Sequence, residues 1–152
     1  MKRRGYSQLR KGRFSEANRI YFVTAVTQNR RSVFEDYVIG RLLVRELARE
    51  RSRGELESLA YVVMPDHLHW LIQLKDGADL SKCIQRTKSF SARVLNAKLG
   101  WTGRFWQKGF HDHALRKDED LFNYARYLVA NPLRARLVGS LRDYPLWDAI
   151  WV

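Results

Sequence analysis

Two apolar runs separated only by Pro65-Asp66 constrain this chain more than any other feature. Leu59 to Met64 and His67 to Leu74 both read as strands, and the Pro-Asp step between them is a turn that ends the first. The natural pairing of two such runs is a hairpin. Upstream, Ile20 to Thr27 is β-branched and aromatic throughout, which predicts a strand buried on both faces. Residues 36–53 carry Ile39, Leu42, Leu43 and Leu47 on one stripe and predict a helix. Residues 79–98 predict a second helix, with Leu80, Ile84, Thr87, Val94 and Leu95 turned inward. Trp101 to Gly109 reads as a loop dense in aromatic and basic residues, and Phe110 to Leu115 as a fourth strand. Residues 118–131 predict a last helix, capped by Asp118 and stopped by Pro132. Residues 1–18 read as a basic arm, 19–131 as the folded domain, and 132–152 as a tail packed on it. The order β-α-β-β-α-β-α is that of an α+β fold, a ferredoxin-like split βαβ antiparallel sheet with helices packed on it and one helix added.

A chain of 152 residues fits one domain, and no repeat or Pro/Gly-rich linker divides it. With 45% hydrophobic residues and three prolines it is not a disordered chain. No apolar run approaches the ~18 residues of a membrane span, and no signal-type stretch follows the basic first residues. A single cysteine, Cys83, excludes an internal disulfide and a cysteine-cluster zinc site, and reads as a small core hydrophobe. A cytoplasmic location is expected. The charge balance is more telling: 28 Lys+Arg against 16 Asp+Glu gives 28 − 16 = +12. That excess is the footprint of a polyanion partner, whether DNA, RNA or an anionic membrane. No long helix combines a basic face with exposed Trp or Phe, which argues against the membrane. Aromatic residues at 12% of the chain, many between basic residues, suit stacking on single-stranded bases.

Three short patterns carry chemistry. In a strand, residues i and i+2 share a face, so His67 and His69 project together while Leu68 enters the core. Paired neutral imidazoles can hold a divalent ion, although His-apolar-His also describes two surface histidines. His111-Asp112-His113 repeats the spacing with a charged middle residue, and ranks second. In the last helix, Leu121, Phe122, Ala125, Leu128 and Val129 form an apolar stripe. At about 100° per residue, Tyr127 projects roughly 160° away from that stripe. Asn131 follows about 40° further round by the same arithmetic, so a phenol and an amide share one face away from the core. Tyr124, about 100° from the stripe, reads as packing at its edge. Lys82, Arg86, Ser89 and Arg93 step along one face of the second helix as a basic stripe, or as an ordinary solvated face.

The run Tyr61-Val62-Val63-Met64-Pro65-Asp66-His67-Leu68-His69-Trp70 resembles the HUH motif of single-tyrosine transposases that act on single-stranded DNA. Arg104 to Arg116 and Tyr127-Leu128-Val129-Ala130-Asn131-Pro132 resemble one branch, the REP-associated tyrosine transposases. The three motifs fall in the family's order, and the similarity spans residues 19 to 148. The chain has Leu128 where the branch typically has Ile, and Asn131 where insertion-sequence relatives carry Gln.

The resemblance implies an enzyme that nicks and rejoins DNA beside a palindromic hairpin. His67 and His69 would hold Mg2+ or Mn2+ with the Asn131 oxygen as third ligand, and Tyr127 would attack phosphorus to give a 5′-phosphotyrosine. The expected partner is single-stranded or hairpin DNA of a bacterial nucleoid, engaged by a monomer or a homodimer. Lys2, Arg3, Arg4, Arg10, Lys11 and Arg13 of the arm, with Lys82, Arg86 and Arg93, are expected to grip phosphates. Trp101, Phe105 and Trp106 are expected to stack on unpaired bases, with Arg104 and His113 contributing to the DNA contact. Two rival readings remain: a non-catalytic protein that binds hairpin DNA or RNA, and a metal-dependent phosphodiesterase in which water attacks.

Overall fold

Register decides how the sheet is built, and the hairpin comes first. Strand β2 (Leu56–Met64) pairs antiparallel with β3 (His67–Leu74), and Met64 stands opposite His67. The connection is therefore the expected two-residue Pro65-Asp66 turn. A register shift between Ser58 and Ala60 lets β2 begin at Leu56, ahead of the predicted Leu59. Strand β1 (Ile20–Val26) lies on the other side of β3, with Thr24 opposite His69 and Val26 opposite His67. Strand β4 (His111–Ala114) pairs with β1 at one edge, and a short β5 (Trp147–Ala149) pairs with β2 at the other. The order is β4-β1-β3-β2-β5, every pairing antiparallel. The first four strands have the split βαβ arrangement that the element order predicts. This computed structural model describes residues 19–116 and 120–150.

Helix α1 (Tyr37–Ser52) follows β1 and α2 (Leu80–Leu99) follows β3. Each starts where an aspartate accepts from a backbone N–H of the first turn: Asp36 from Val38, and Asp79 from Lys82. Gly100, at φ 68°, closes α2 in the left-handed conformation. Ile39, Leu43 and Leu47 of α1 and Cys83, Ile84 and Leu95 of α2 join Leu68, Trp70 and Ile72 in the core. At roughly 25 cal/mol per Å² of apolar surface, such burial is the main stabilising term.

Helix α3 (Leu121–Val129) differs from expectation at both ends. Its cap is Asp120, which accepts from the amides of Phe122 and Asn123; the predicted cap, Asp118, lies outside the described residues. The helix ends with Ala130 as its cap, and Pro132 sits in the first turn of a new short helix, α4 (Asn131–Arg134). Proline is tolerated at a helix start because that N–H has no partner to lose. Tyr127 and Asn131 therefore belong to different helices. Ala125 and Leu128 are buried as predicted, whereas Phe122 is 46% exposed and leaves the predicted apolar stripe. It packs instead beneath Arg126, 5.4 Å over its ring.

The segment after α4 is more than a packed tail. Tyr144 and Leu146 are buried, the Tyr144 hydroxyl donates to the Val63 carbonyl, and the Val63 amide donates to the Leu146 carbonyl at 2.9 Å. These contacts deliver β5 to the edge of β2. Leu146 rests on α1 where Gly40 leaves room, since a Cβ there would meet Leu146 Cδ1 at 2.3 Å.

Candidate active site

Residues directly opposite in a sheet share a face. His111, Thr24, His69 and Val62 therefore form one row across four strands, with Trp147 of β5 at its end, and Val26, His67 and Met64 form the next row. Both histidines of the first motif project from the central strand onto this face, while Leu68 between them is buried. Their rings meet edge to face, and the two Nε2 atoms lie 3.2 Å apart.

Each ring is held from behind. The Nδ1–H of His67 donates to Asp66 Oδ1 at 2.7 Å, and Nδ1 of His69 bonds the Thr24 hydroxyl at 2.8 Å. Asp66 is itself held by Arg30, whose Nη1 lies 3.1 Å from Oδ2. Arg30 and Asn29 both adopt positive φ, 50° and 60°. Non-glycine residues in that region are strained, and here the strained turn carries the arginine toward Asp66. Burial opposes the charged Asp66 carboxylate, but the hydrogen bonds and charges of His67 and Arg30 outweigh it and lower its pKa. Burial pushes His69 down to about 3, with the neighbouring positive charges of His67 and Arg134 adding to the effect. At neutral pH His69 is therefore an uncharged imidazole, the form that binds metal.

The donor set suits a divalent cation. Two nitrogens bound at about 2.1 Å to one ion, between octahedral and tetrahedral angles, lie roughly 3.0–3.4 Å apart. The observed separation falls within that range. Orienting partners on the remote ring nitrogens, here Asp66 and Thr24, are the usual support of metal-binding histidines. Sequence reasoning missed both: Thr24 reads as one more β-branched strand residue, and Asp66 as half of a turn.

Asn131 hydrogen-bonds neither histidine. Its side-chain NH2 donates to the Leu128 carbonyl at 2.9 Å, which leaves Oδ1 as the available ligand atom. Tyr127 is 60% exposed, as its helical position predicts. The Arg134 guanidinium sits 3.8 Å above its ring. Arg134, which sequence reasoning also missed, thus covers one face of Tyr127.

Several expected DNA contacts change. Phe105 is 1% exposed and Trp106 4%, so neither can stack on a base. Both pack against Phe34, and Trp106 Nε1 donates to Ser91 Oγ at 3.0 Å. The Arg- and Gly-bearing loop around them plugs the core. Trp101 is half-buried beneath the Arg31 guanidinium, 4.1 Å from its ring. Arg86 leaves the basic stripe: it donates to Glu50 at 2.9 and 2.6 Å and to Glu55 at 2.6 Å. Glu50, Glu55 and Cys83 cluster closely enough to suggest a metal site, but this guanidinium already compensates both carboxylates. Lys82, Arg93 and Arg104 are exposed. Phe90, beside Arg93 at 5.1 Å, adds an exposed aromatic that the sequence reading omitted. His111 and His113 share the face of the first pair but stand two strands away, and His113 bonds the Tyr124 hydroxyl at 3.3 Å and stacks on its ring. It anchors α3 at the edge position predicted for Tyr124. The arm residues Lys2, Arg3, Arg4, Arg10, Lys11 and Arg13 lie outside the described residues. No helix among the described residues is long and apolar enough to cross a membrane.

Fold and site together define a class of DNA-processing transposase: the family described as Transposase IS200 like matches residues 16–129. A REP-associated tyrosine transposase of Escherichia coli K12 is 29% identical over 128 residues, covering 82% of this chain and 73% of its own. A Haemophilus influenzae protein named for the same group is 30% identical over 138 residues, with 83% and 77% covered. A solved REP-associated tyrosine transposase bound to a REP hairpin superposes with a TM-score of 0.73 at 25% identity, covering 89% of this chain and 79% of that one. The chain belongs to the IS200-like transposase family, among the REP-associated tyrosine transposases.

Proposed function

We propose that this protein is a metal-dependent, single-tyrosine transposase that nicks and rejoins single-stranded DNA beside a palindromic hairpin, acting on the bacterial nucleoid in the cytoplasm. The observation that carries the reading is the convergence of His67 and His69 Nε2 at 3.2 Å, in a chain whose Tyr127 stands exposed under the Arg134 guanidinium. The hairpin partner is supported by the related transposase bound to a REP hairpin and by the excess of basic residues.

His67 and His69, with Asn131 Oδ1, are the residues that would hold Mg2+ or Mn2+. A divalent ion bound there supplies a Lewis acid that draws charge from the non-bridging oxygens of the scissile phosphate. Asp66 and Thr24 keep the two imidazoles aimed. The Tyr127 Oη attacks phosphorus, the Oη–P bond forms, and the P–O3′ bond breaks. The phenolic proton is lost and the departing 3′ oxygen takes one up, leaving a free 3′-OH and a 5′-phosphotyrosine. Because the tyrosine ester keeps a phosphodiester bond's energy, the reverse attack by a 3′-OH rejoins the strand without ATP. Lys82, Arg93 and Arg104, with the basic arm, supply phosphate contacts, and Trp101 and Phe90 supply aromatic surface for unpaired bases.

The test is a denaturing gel with a labelled hairpin substrate and Mn2+, comparing wild type with Tyr127→Phe. A covalent adduct that disappears in the variant is the expected result. Cleavage without an adduct in both proteins identifies a hydrolytic phosphodiesterase, and binding without cleavage in either identifies a non-catalytic hairpin binder.

A further inference from the structure

Arg134 closes the four-residue helix α4, whose first turn is set by buried Pro132. Its side chain is exposed, and no carboxylate among the described residues pairs with it. Arg30 and Arg31 are committed: Arg30 to Asp66, and Arg31 to the Gln28 and Arg104 carbonyls and the Trp101 face. Arg134 instead lies over Tyr127, its guanidinium 3.8 Å from the ring. A guanidinium bonds through its edges and stacks through its faces, so a face resting on a phenol leaves N–H groups free for an anion. A scissile phosphate must sit beside the phenol that attacks it, and so beside the guanidinium on that phenol's ring. A fixed cation there meets the negative charge that builds on the phosphorus oxygens during in-line attack.

We propose that Arg134 is a further catalytic residue, orienting Tyr127 through its ring and holding a non-bridging oxygen of the phosphate that Tyr127 attacks. The proposal rests on the reading of Tyr127 as nucleophile. Lysine at 134 keeps the charge but loses the planar face and the paired donors, so it restores little.

The test measures single-turnover adduct formation by wild type, Arg134→Ala, Arg134→Lys and Tyr127→Phe. Each is given an ordinary hairpin substrate and one with a neutral methylphosphonate at the scissile position. On the ordinary substrate Arg134→Ala is expected to react about 100-fold more slowly, with hairpin affinity and thermal unfolding little changed. On the methylphosphonate the non-bridging charge is gone, and wild type and Arg134→Ala are expected to react at the same rate. Equal rates on the ordinary substrate overturn the proposal. An equal slowing on both substrates overturns the phosphate contact and reduces Arg134 to a support for the tyrosine. An adduct that survives Tyr127→Phe, or none in wild type, overturns the nucleophile assignment itself and is distinguishable from either result.

Discussion

The Thr24 hydroxyl offers His69 something that neither a carbonyl nor a carboxylate can, since it both donates and accepts. His67 Nδ1–H is committed to Asp66, the two ring Nε2 atoms meet at 3.2 Å, and the hydroxyl can serve His69 Nδ1 in either tautomer. A cation held by both Nε2 lone pairs would leave the His69 proton on Nδ1, with the Thr24 hydroxyl as its acceptor. Thr24→Val, which keeps the shape and removes the hydroxyl, is expected to weaken Mn2+ binding by about 10–100-fold, while Thr24→Ser stays close to wild type. Titration of the purified protein with Mn2+, followed by the paramagnetic signal of the free ion, checks this. Unchanged affinity in Thr24→Val would show that the hydroxyl does not orient His69. The paired histidines and exposed Tyr127 were legible in the sequence because period-2 and period-3.6 geometry alone sets where they point. Thr24 and Arg134 were not, because their roles arise only when β1 is laid against β3 and α4 is folded back over α3.

At the scale of elements, the Glu50–Arg86–Glu55 network ties α1, the start of β2 and α2 together. Glu50 is 3% exposed, so Arg86→Met leaves a buried carboxylate without its partner. The expected loss is about 3–5 kcal/mol of folding stability, read by urea unfolding. Lys82→Ala and Arg93→Ala are expected to change stability by less than about 0.5 kcal/mol and to weaken hairpin binding instead. Cys83, inside the same network, has its thiol pushed up to about 11 by burial first and by Glu55 and Glu50 after it. Between pH 9 and 11 the unfolded chain has lost this proton and the folded chain keeps it. The unfolded state then binds fewer protons, and stability falls as pH rises. Unfolding curves at pH 8 and 10 should show a larger drop for wild type than for Cys83→Ala. A sequence shows a basic residue every three or four positions; it does not show which one a buried glutamate from another helix will capture. The burial of Phe105 and Trp106 escaped for the same reason, since their Gly- and Arg-bearing flanks imitate a surface loop.

For the whole molecule, the order of elements was readable from one end of the sheet to β2, because the strands there fall in β-branched, aromatic or turn-bounded runs and the helices show apolar stripes. Strand β5 was not. Trp147-Asp148-Ala149 is too short to show alternation, and it exists because Tyr144 and Leu146 dock on β2 and α1. Gly40→Ala drives a methyl into Leu146 and is expected to lower the melting temperature, and pairing it with Leu146→Ala should recover part of the loss. The net charge of +12 sets a second global property, the response to salt. If about six phosphates are held, log affinity for a single-stranded substrate falls against log salt with a slope near −4; a flat response would mean that the charge is not used on DNA. The break at Ala130 has a consequence for timing. His67 and His69 lie in the central strand, whose amides exchange with solvent only when the sheet comes apart, whereas α3 is fastened by buried Ala125 and Leu128 and by the Tyr124–His113 contact. Hydrogen exchange should therefore sort the site into two clocks, a slow one for the ligands and a fast one for the tyrosine. A nucleophile on the fast clock can swing with its attached DNA end while the histidine pair stays in place for the return reaction.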